Sequence, residues 1–244
     1  MKKKEESKGK KPIYINFPIN ILMNSDANDI SHRCNYILQY SCYEYSERPE
    51  FCSLNTDKRI AAAEKYYNVP FSEDDYEQGY AVFHMYSSSI SKPNKFPKCG
   101  ISVDMILDFL VNPKNEFEVE SFLGFCAIRS ILQKQPYFKL TKDYLVARMA
   151  GMSTMSEHTI ANDNITKYQK RHHFSKLIKE LSDHWGLKTY ANYTYGIYVS
   201  FSMTRFEMGI IAEEHKKRNK AIREAKSRKE ENERIRQSVN YSFV

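Results

Sequence analysis

The apolar residues between positions 118 and 134 recur at the spacing of an α-helix, and this periodicity constrains the fold more than any other feature of the chain. They follow the i, i+3, i+4, i+7 pattern of an amphipathic helix: Val119, Phe122, Leu123, Cys126, Ala127 and Ile131. Pro136 ends this helix, because proline lacks the amide hydrogen that another turn would need. The apolar face must pack against other elements, and similar periodicity elsewhere in the chain predicts that most of these are helices.

The first 112 residues predict a helical domain without a recognisable chemical motif. Helical spacing predicts four helices, over residues 29–45, 55–67, 72–86 and 102–111. Ser72 is placed to cap the third of them. Residues 13–23 are compatible with one strand in which Pro18 marks an edge or a bend, and residues 87–100 predict a loop. The simplest role for residues 12–112 is a scaffold or a dimerisation domain, through which the chain would form a homodimer.

Two further helices are predicted after Pro136. Thr141 is placed to cap a helix over residues 142–150, and Gly151 follows where a helix end favours a left-handed residue. The next helix has an apolar face: Phe174, Leu177, Ile178, Leu181 and Trp185. Its opposite face is polar: His172, Ser175, Lys176, Lys179 and Asp183.

The start of this last helix has two interpretations. If the helix extended further toward the N-terminus, Lys167, Lys170 and Arg171 would fall on its apolar side, where unpaired charges do not pack. Either the helix begins near Arg171, or its first turns project past the core. Both interpretations leave these cations free to contact a phosphate backbone.

Residues 187–201 alternate like the two strands of a β-hairpin. In the first strand Leu187, Thr189 and Ala191 lie on one face, and in the second strand Ile197, Val199 and Phe201 lie on one face. Residues 192–196 supply the turn.

Two segments resemble known DNA-binding proteins. Residues 146–153, Val-Ala-Arg-Met-Ala-Gly-Met-Ser, resemble the turn of bacterial helix-turn-helix proteins, where a small residue, a glycine and a serine recur at these offsets. Ile178-x-x-Leu181 followed by Trp185-Gly186-Leu187 resembles the end of a winged-helix recognition helix that runs into its wing. The resemblance spans residues 118–203. It implies a fold that is mainly α with a small β-hairpin.

Composition, helical spacing and the resemblance together divide the chain into four segments. Residues 1–11 are expected to form a disordered basic tail and residues 12–112 a helical domain. Residues 113–203 are expected to form a winged-helix DNA-binding domain, and residues 204–244 a charged helical tail. In the compact family pattern about one helix separates the turn serine from the wing glycine, whereas Ser153 and Gly186 are 33 positions apart. We therefore expect an insertion within residues 154–164, which are rich in Ser, Thr, Asn and Asp.

Positive charge is concentrated in three segments of a chain whose net charge is +7. Residues 1–11, 165–190 and 205–236 each carry a net charge of +4; the first, for example, holds six lysines and two glutamates. This distribution favours an anionic partner, for which nucleic acid and an anionic membrane compete. No apolar stretch approaches the roughly 18 residues of a membrane helix, so we expect a soluble, cytoplasmic protein without a membrane partner.

Double-stranded DNA is the partner that the winged-helix resemblance implies. The polar face of the last predicted helix would read the major groove through His172, Ser175, Lys176 and Lys179. The two tails would hold phosphates together with Lys167, Lys170, Arg171 and Lys188. The wing tip would touch the adjacent minor groove or backbone through Asn192, Tyr193 and Tyr195. A two-part protein of this kind resembles replication initiators and regulators of plasmids and other mobile elements.

The sequence predicts no enzyme, cofactor or metal site. Ser156, Glu157 and His158 are adjacent, and adjacent residues rarely reach one another as a catalytic triad. His172 and His173 are expected to point to different helix faces, which disfavours a shared metal ion. The five cysteines contain no Cys-x-x-Cys pair and predict reduced thiols. Two alternative functions remain: nonspecific binding of RNA or single strands, and a protein–protein scaffold.

Overall fold

A computed structural model describes residues 12–23, 30–87, 97–152, 163–191 and 196–241. These residues are mainly helical with small antiparallel sheets, which confirms that much of the predicted fold class. The chain divides into two compact units. The first unit comprises Met1–Lys134 and Thr141–Trp185, and the second unit comprises Gln135–Leu140 and Gly186–Val244.

The first unit contains helices and one strand pair. In chain order its elements are β1 (Tyr14–Pro18), α1 (Ile30–Ser46), α2 (Thr56–Tyr67), α3 (Glu73–Ser87), β2 (Lys98–Ser102), α4 (Val103–Val111), α5 (Glu116–Leu132), α6 (Lys142–Met149), α7 (Asp163–Thr166) and α8 (Arg171–His184). Short 3₁₀ turns follow β1, α1 and α7 at Ile19–Met23, Pro49–Phe51 and Lys167–Gln169. The four helices predicted before residue 112 correspond to α1–α4, with ends that agree within one residue.

Side-chain caps explain where several helices begin. The Ser72 hydroxyl accepts a hydrogen bond from the Asp75 amide at 3.1 Å, and the Asp75 carboxylate accepts one from the Ser72 amide at 2.9 Å. The Thr141 hydroxyl accepts from the Tyr144 amide at 3.2 Å. Both caps are predicted by the sequence, because the first amides of a helix have no partner within it.

The strand pair of the first unit corrects the prediction for residues 87–100. The last three of these residues belong to β2, which pairs antiparallel with β1 from Tyr14 opposite Ser102 to Pro18 opposite Lys98. β1 ends at Pro18, and residues 19–23 form a 3₁₀ helix, so only the first half of the predicted strand 13–23 is a strand. Pairing between segments 80 residues apart is a tertiary effect, and local turn residues such as Gly100 do not reveal it.

The close contact of α1 with α3 depends on a glycine. A Cβ atom at Gly79 would lie 2.2 Å from the carbonyl oxygen of Gln39, so any side chain there would force the helices apart. Beside this contact Tyr43 of α1 packs against Tyr76 and Phe83 of α3, with ring centroids 5.2 Å apart in both pairs. Tyr40, Tyr43 and Tyr67 are buried core residues of this region, whereas Tyr14, Tyr66 and Tyr80 are exposed.

The described residues of the second unit form a three-stranded sheet and a helix. β3 (Phe138–Leu140), β4 (Lys188–Tyr190) and β5 (Ile197–Ser200) form an antiparallel sheet in the order β3-β5-β4, and α9 runs over Arg205–Tyr241. The pairing of β4 with β5 confirms the predicted hairpin, whereas β3 is not predicted. The core of this unit consists of Tyr198, Met208 and Ala212, with Tyr137, Tyr190, Met203 and Ile211 packed around it.

The two compact units cut the chain at other positions than the predicted segment boundaries at 112 and 203. α5 belongs to the same unit as α1–α4, because it packs on β2 and its Arg129 donates hydrogen bonds to the Gly100 carbonyl at 3.2 and 3.3 Å. Residues 186–203 belong to the same unit as α9. The predicted tail at 1–11 lies outside the described residues, as does the expected insertion from Thr154 to residue 162.

Over the described ranges, none of the helices combines the length and the apolar character that crossing a membrane requires.

Candidate nucleic-acid interface

α8 is anchored on α5 by its apolar face. Leu177 and Leu181 are fully buried and lie over Gly124, where an added Cβ atom would be 3.2 Å from Cδ1 of Leu177. The absence of a side chain at Gly124 therefore lets the two helices approach closely. Trp185, directly after α8, packs on the ring of Phe125 with centroids 4.8 Å apart and the ring planes tilted by 32°. These contacts fix which face of α8 points outward.

The first turn of α8 is positively charged and has no side-chain cap. The backbone at Lys170 is extended, with φ −78° and ψ 134°, so the helix begins at Arg171, the first of the two interpretations above. No acidic residue lies in the first turn, and the Lys170 side chain makes no capping hydrogen bond. The cations of Lys170 and Arg171 thus lie beside amides at the positive end of the helix dipole.

The polar face of α8 is exposed. It consists of His172, Ser175, Lys176, Lys179 and Asp183, and each of them is exposed in the structure. Lys176 also contacts α5: its Nζ lies 4.3 Å from the ring centroid of Phe117, a cation–π distance. This contact steadies the ammonium group without neutralising it, because Phe117 carries no charge.

Lys167 is held by two carboxylates of α5. Its Nζ lies 2.5 Å from Oε1 of Glu120 and 3.8 Å from Oε1 of Glu116. Glu120 is only 7% exposed, and its Oε2 accepts a hydrogen bond from the Tyr168 hydroxyl at 2.5 Å. Burial, followed by the adjacent Glu120 carboxylate, raises the pKa of Tyr168, so the phenol remains a donor. These ion pairs compete with the phosphate contact predicted for Lys167.

A cleft between α5 and α8 gathers charged and aromatic groups. It is lined by Glu116, Phe117, Glu120, Lys167, Tyr168, His173 and Lys176. Loss of hydration, followed by repulsion from His172, Lys167 and Lys170, lowers the pKa of His173. The rings of His172 and His173 are 3.9 Å apart, so these histidines lie side by side rather than on separate faces. Within the described ranges no group of three or more His, Cys, Asp or Glu residues is arranged to hold a metal ion.

The carboxylates of this cleft are the residues that the sequence interpretation missed. α5 begins two residues before the predicted position because Asn115 forms a capping box with Glu118, with hydrogen bonds of 3.0 and 2.7 Å. The Asn-x-x-Glu pattern is visible in the sequence and is typical of a helix start. Once the helix begins there, Glu116 and Glu120 are spaced i, i+4 and share one face.

The other predicted contacts belong to the second unit or lie outside the described residues. Lys188 is exposed at the start of β4, opposite Ser200 of β5. The predicted wing tip lies outside the described residues: Asn192, Tyr193 and Tyr195. The other predicted contact residues all lie in one segment of the first unit: Lys167, Lys170, Arg171, His172, Ser175, Lys176 and Lys179. Lys188 belongs to the second unit.

The chemistry that this stretch offers is the binding of an anion by exposed cations on a rigid helix. Comparisons of the chain with protein-family models, with curated proteins and with solved structures find no match.

Proposed function

We propose that the chain binds double-stranded DNA with sequence specificity through a winged-helix module, as a regulator or replication initiator of a mobile element. The observation that carries this proposal is the exposed face of α8, which presents Ser175, Lys176 and Lys179 opposite the buried Leu177 and Leu181. The major groove of B-DNA is about 12 Å wide and admits an α-helix whose outward face carries hydrogen-bond donors.

The order of elements along the chain supports the proposal. α5, α6, α8 and the β4–β5 hairpin occur in the order of helix, helix, turn, helix and hairpin that the resemblance implies, with β3 between α5 and α6 and α7 between α6 and α8. Gly151 follows α6 with φ +77°, a left-handed conformation that glycine adopts without strain. A sharp turn at this position is what the helix-turn-helix resemblance requires.

The start of α8 supports phosphate contacts from the same surface. Lys170, Arg171 and His172 are exposed there, and the unpaired amides of a first helical turn favour an anion. Because Lys167 already pairs with Glu116 and Glu120, we assign the phosphate contacts mainly to Lys170 and Arg171.

The test combines binding and stability measurements on one double variant. Lys176→Ala with Lys179→Ala should lower the affinity for a selected duplex site at least tenfold, because each paired base contact is worth roughly 1–3 kcal/mol. The thermal midpoint should stay close to that of the unmodified chain, since both side chains are exposed. Fluorescence anisotropy gives the affinity and thermal melting gives the stability.

The matched control removes two lysines outside α8. Lys58 and Lys134 are also exposed, so Lys58→Ala with Lys134→Ala changes the net charge equally. If both double variants lost the same affinity, the effect would be one of overall charge, and α8 would not read the groove. A chain whose duplex affinity did not depend on salt would instead favour a protein–protein scaffold.

A further inference from the structure

A group of aromatic rings and one guanidinium lies at the surface where the end of α1 meets the end of α2. Tyr66 stacks on Tyr45 with ring centroids 4.4 Å apart and an interplanar angle of 22°. Tyr66 remains 42% exposed, whereas the adjacent Tyr67 is buried. We call the surface formed by Tyr45, Tyr66 and Arg48 the tyrosine platform.

Arg48 adds a positive charge to this surface. Its guanidinium carbon lies 4.1 Å from the ring centroid of Tyr45 and 5.6 Å from that of Tyr66, and the residue is exposed. Two carboxylates near Arg48, one in α1 and one directly after it, form ion pairs with other residues. Glu47 pairs with Arg59 at 2.8 Å, and Glu44 pairs with Lys98 at 2.7 Å.

The packing of α1 and α2 fixes the two rings. Tyr45 also contacts Phe51, with ring centroids 5.3 Å apart, and the buried Tyr67, with centroids 5.6 Å apart. The exposed ring of Tyr66 thus rests on the partly buried Tyr45, which itself packs on the buried Tyr67. A ring fixed in this way loses little conformational entropy when a flat ligand stacks against it.

We propose that the tyrosine platform binds an unpaired base of a single-stranded nucleic acid, with Arg48 at the neighbouring phosphate. A nucleotide combines the two features that this surface complements, a flat π-system and a negative charge within a few ångströms of it. Bases within a duplex are stacked and do not offer their faces. The site therefore goes beyond the proposed duplex contact of α8 and involves different residues.

A proline-rich peptide is the main competing ligand, because proline rings also dock on exposed aromatic side chains. The exposed charge of Arg48 favours the nucleotide, since a polyproline segment offers no anion to it.

The experiment measures binding of a fluorescein-labelled dT12 strand to the full chain by anisotropy. Tyr66→Leu should weaken binding about 5- to 100-fold, because stacking of a base on an aromatic ring is worth roughly 1–3 kcal/mol. Tyr66→Phe keeps the ring and should restore most of the affinity. Tyr14→Leu is the matched control: Tyr14 is 48% exposed on β1 and should leave binding unchanged.

A strand with the same phosphates but abasic positions separates stacking from charge attraction. The unmodified chain should bind it more weakly than dT12, whereas Tyr66→Leu should bind the two strands alike. Arg48→Gln should lower the affinity for both strands, because it removes the positive charge proposed to contact the phosphate. Thermal melting of each variant verifies that the fold is retained.

Three results would overturn the proposal: equal affinity of the unmodified chain for dT12 and the abasic strand, normal dT12 binding by Tyr66→Leu, or displacement of dT12 from the platform by a polyproline peptide. The double lysine variant of α8 should bind dT12 normally. Failure of the platform and failure of the duplex proposal are therefore distinguishable.

Discussion

At the scale of single residues, the candidate interface combines exposed cations with the buried carboxylate of Glu120. Exposed residues on α8 follow from helical spacing, so the sequence predicts their positions well. Glu120 is different, because helical spacing places it on the apolar face of α5. Its contacts with Lys167 and Tyr168 explain why a carboxylate is tolerated there. Such partners come from segments about 50 residues away, and local patterns do not identify them.

Glu120→Gln should strengthen duplex binding while costing little stability. The amide still accepts the Tyr168 hydrogen bond, but the ion pair between Lys167 and Glu120 is lost, and Lys167 keeps only its 3.8 Å contact with the exposed Glu116. Because Lys167 remains 31% exposed, that loss should cost about 1 kcal/mol or less. The released ammonium becomes available to a phosphate, so the slope of log affinity against log salt should become steeper by about 0.9.

A salt titration of duplex binding measures this change. Asp108→Asn is the control, because it removes a carboxylate whose partner, Lys114, lies outside the candidate interface. An unchanged slope in Glu120→Gln would mean that Lys167 does not reach the DNA backbone.

At the scale of elements, α1–α6, α8 and the β4–β5 hairpin are predictable from the sequence, whereas β2 and β3 are not. Apolar periodicity and caps such as Ser72 and Thr141 locate α1–α6 almost to the residue, because both signals are local. β2 and β3 are five and three residues long, and their hydrogen-bond partners are remote in sequence. Their existence depends on tertiary pairing, which neither composition nor periodicity expresses.

The packing of α8 on α5 determines how much stability each apolar residue of α8 contributes. Phe174 is only partly buried, whereas Leu177 is fully buried against Gly124. Leu177→Ala should therefore cost about 2–5 kcal/mol, the range for a core leucine, and Phe174→Ala should cost less than the 3–5 kcal/mol of a buried ring. This ordering differs from what the apolar stripe alone suggests.

Chemical denaturation followed by the fluorescence of Trp185, the single tryptophan, measures both costs. Trp185 packs on Phe125 next to α8, so its signal reports on this contact. A larger loss for Phe174→Ala than for Leu177→Ala would place the centre of the α5–α8 contact nearer the start of α8.

At the scale of the whole molecule, charge distribution is readable from the sequence, whereas the grouping of elements is not. The composition of residues 205–236 predicts a charged helix with few apolar side chains, and α9 has this form. Its first part is packed: Met208 and Ala212 are buried, and His215 contacts the Tyr198 hydroxyl at 3.1 Å. From Lys216 through Arg236 every residue is exposed.

The exposed part of α9 should add affinity for DNA but no sequence preference. Its charges surround the helix, and pairs such as Lys220 with Glu224 and Lys226 with Glu230 link neighbouring turns at 3.9 and 3.8 Å. Such a surface has no side reserved for base edges, so its contacts should be with phosphates. Removing residues 218–244 should lower the affinity for all duplex sequences by a similar factor and make the salt slope shallower.

The truncation keeps Met208, Ala212 and His215, so the melting temperature of the second unit should change little. Removing residues 1–11 should act in the same direction, because this segment holds six lysines and two glutamates. Selection of preferred sites from a random duplex pool, with and without each tail, measures specificity separately from affinity. If either deletion changed the selected sequence, base recognition would involve that tail, and α8 would not be sufficient to determine the site.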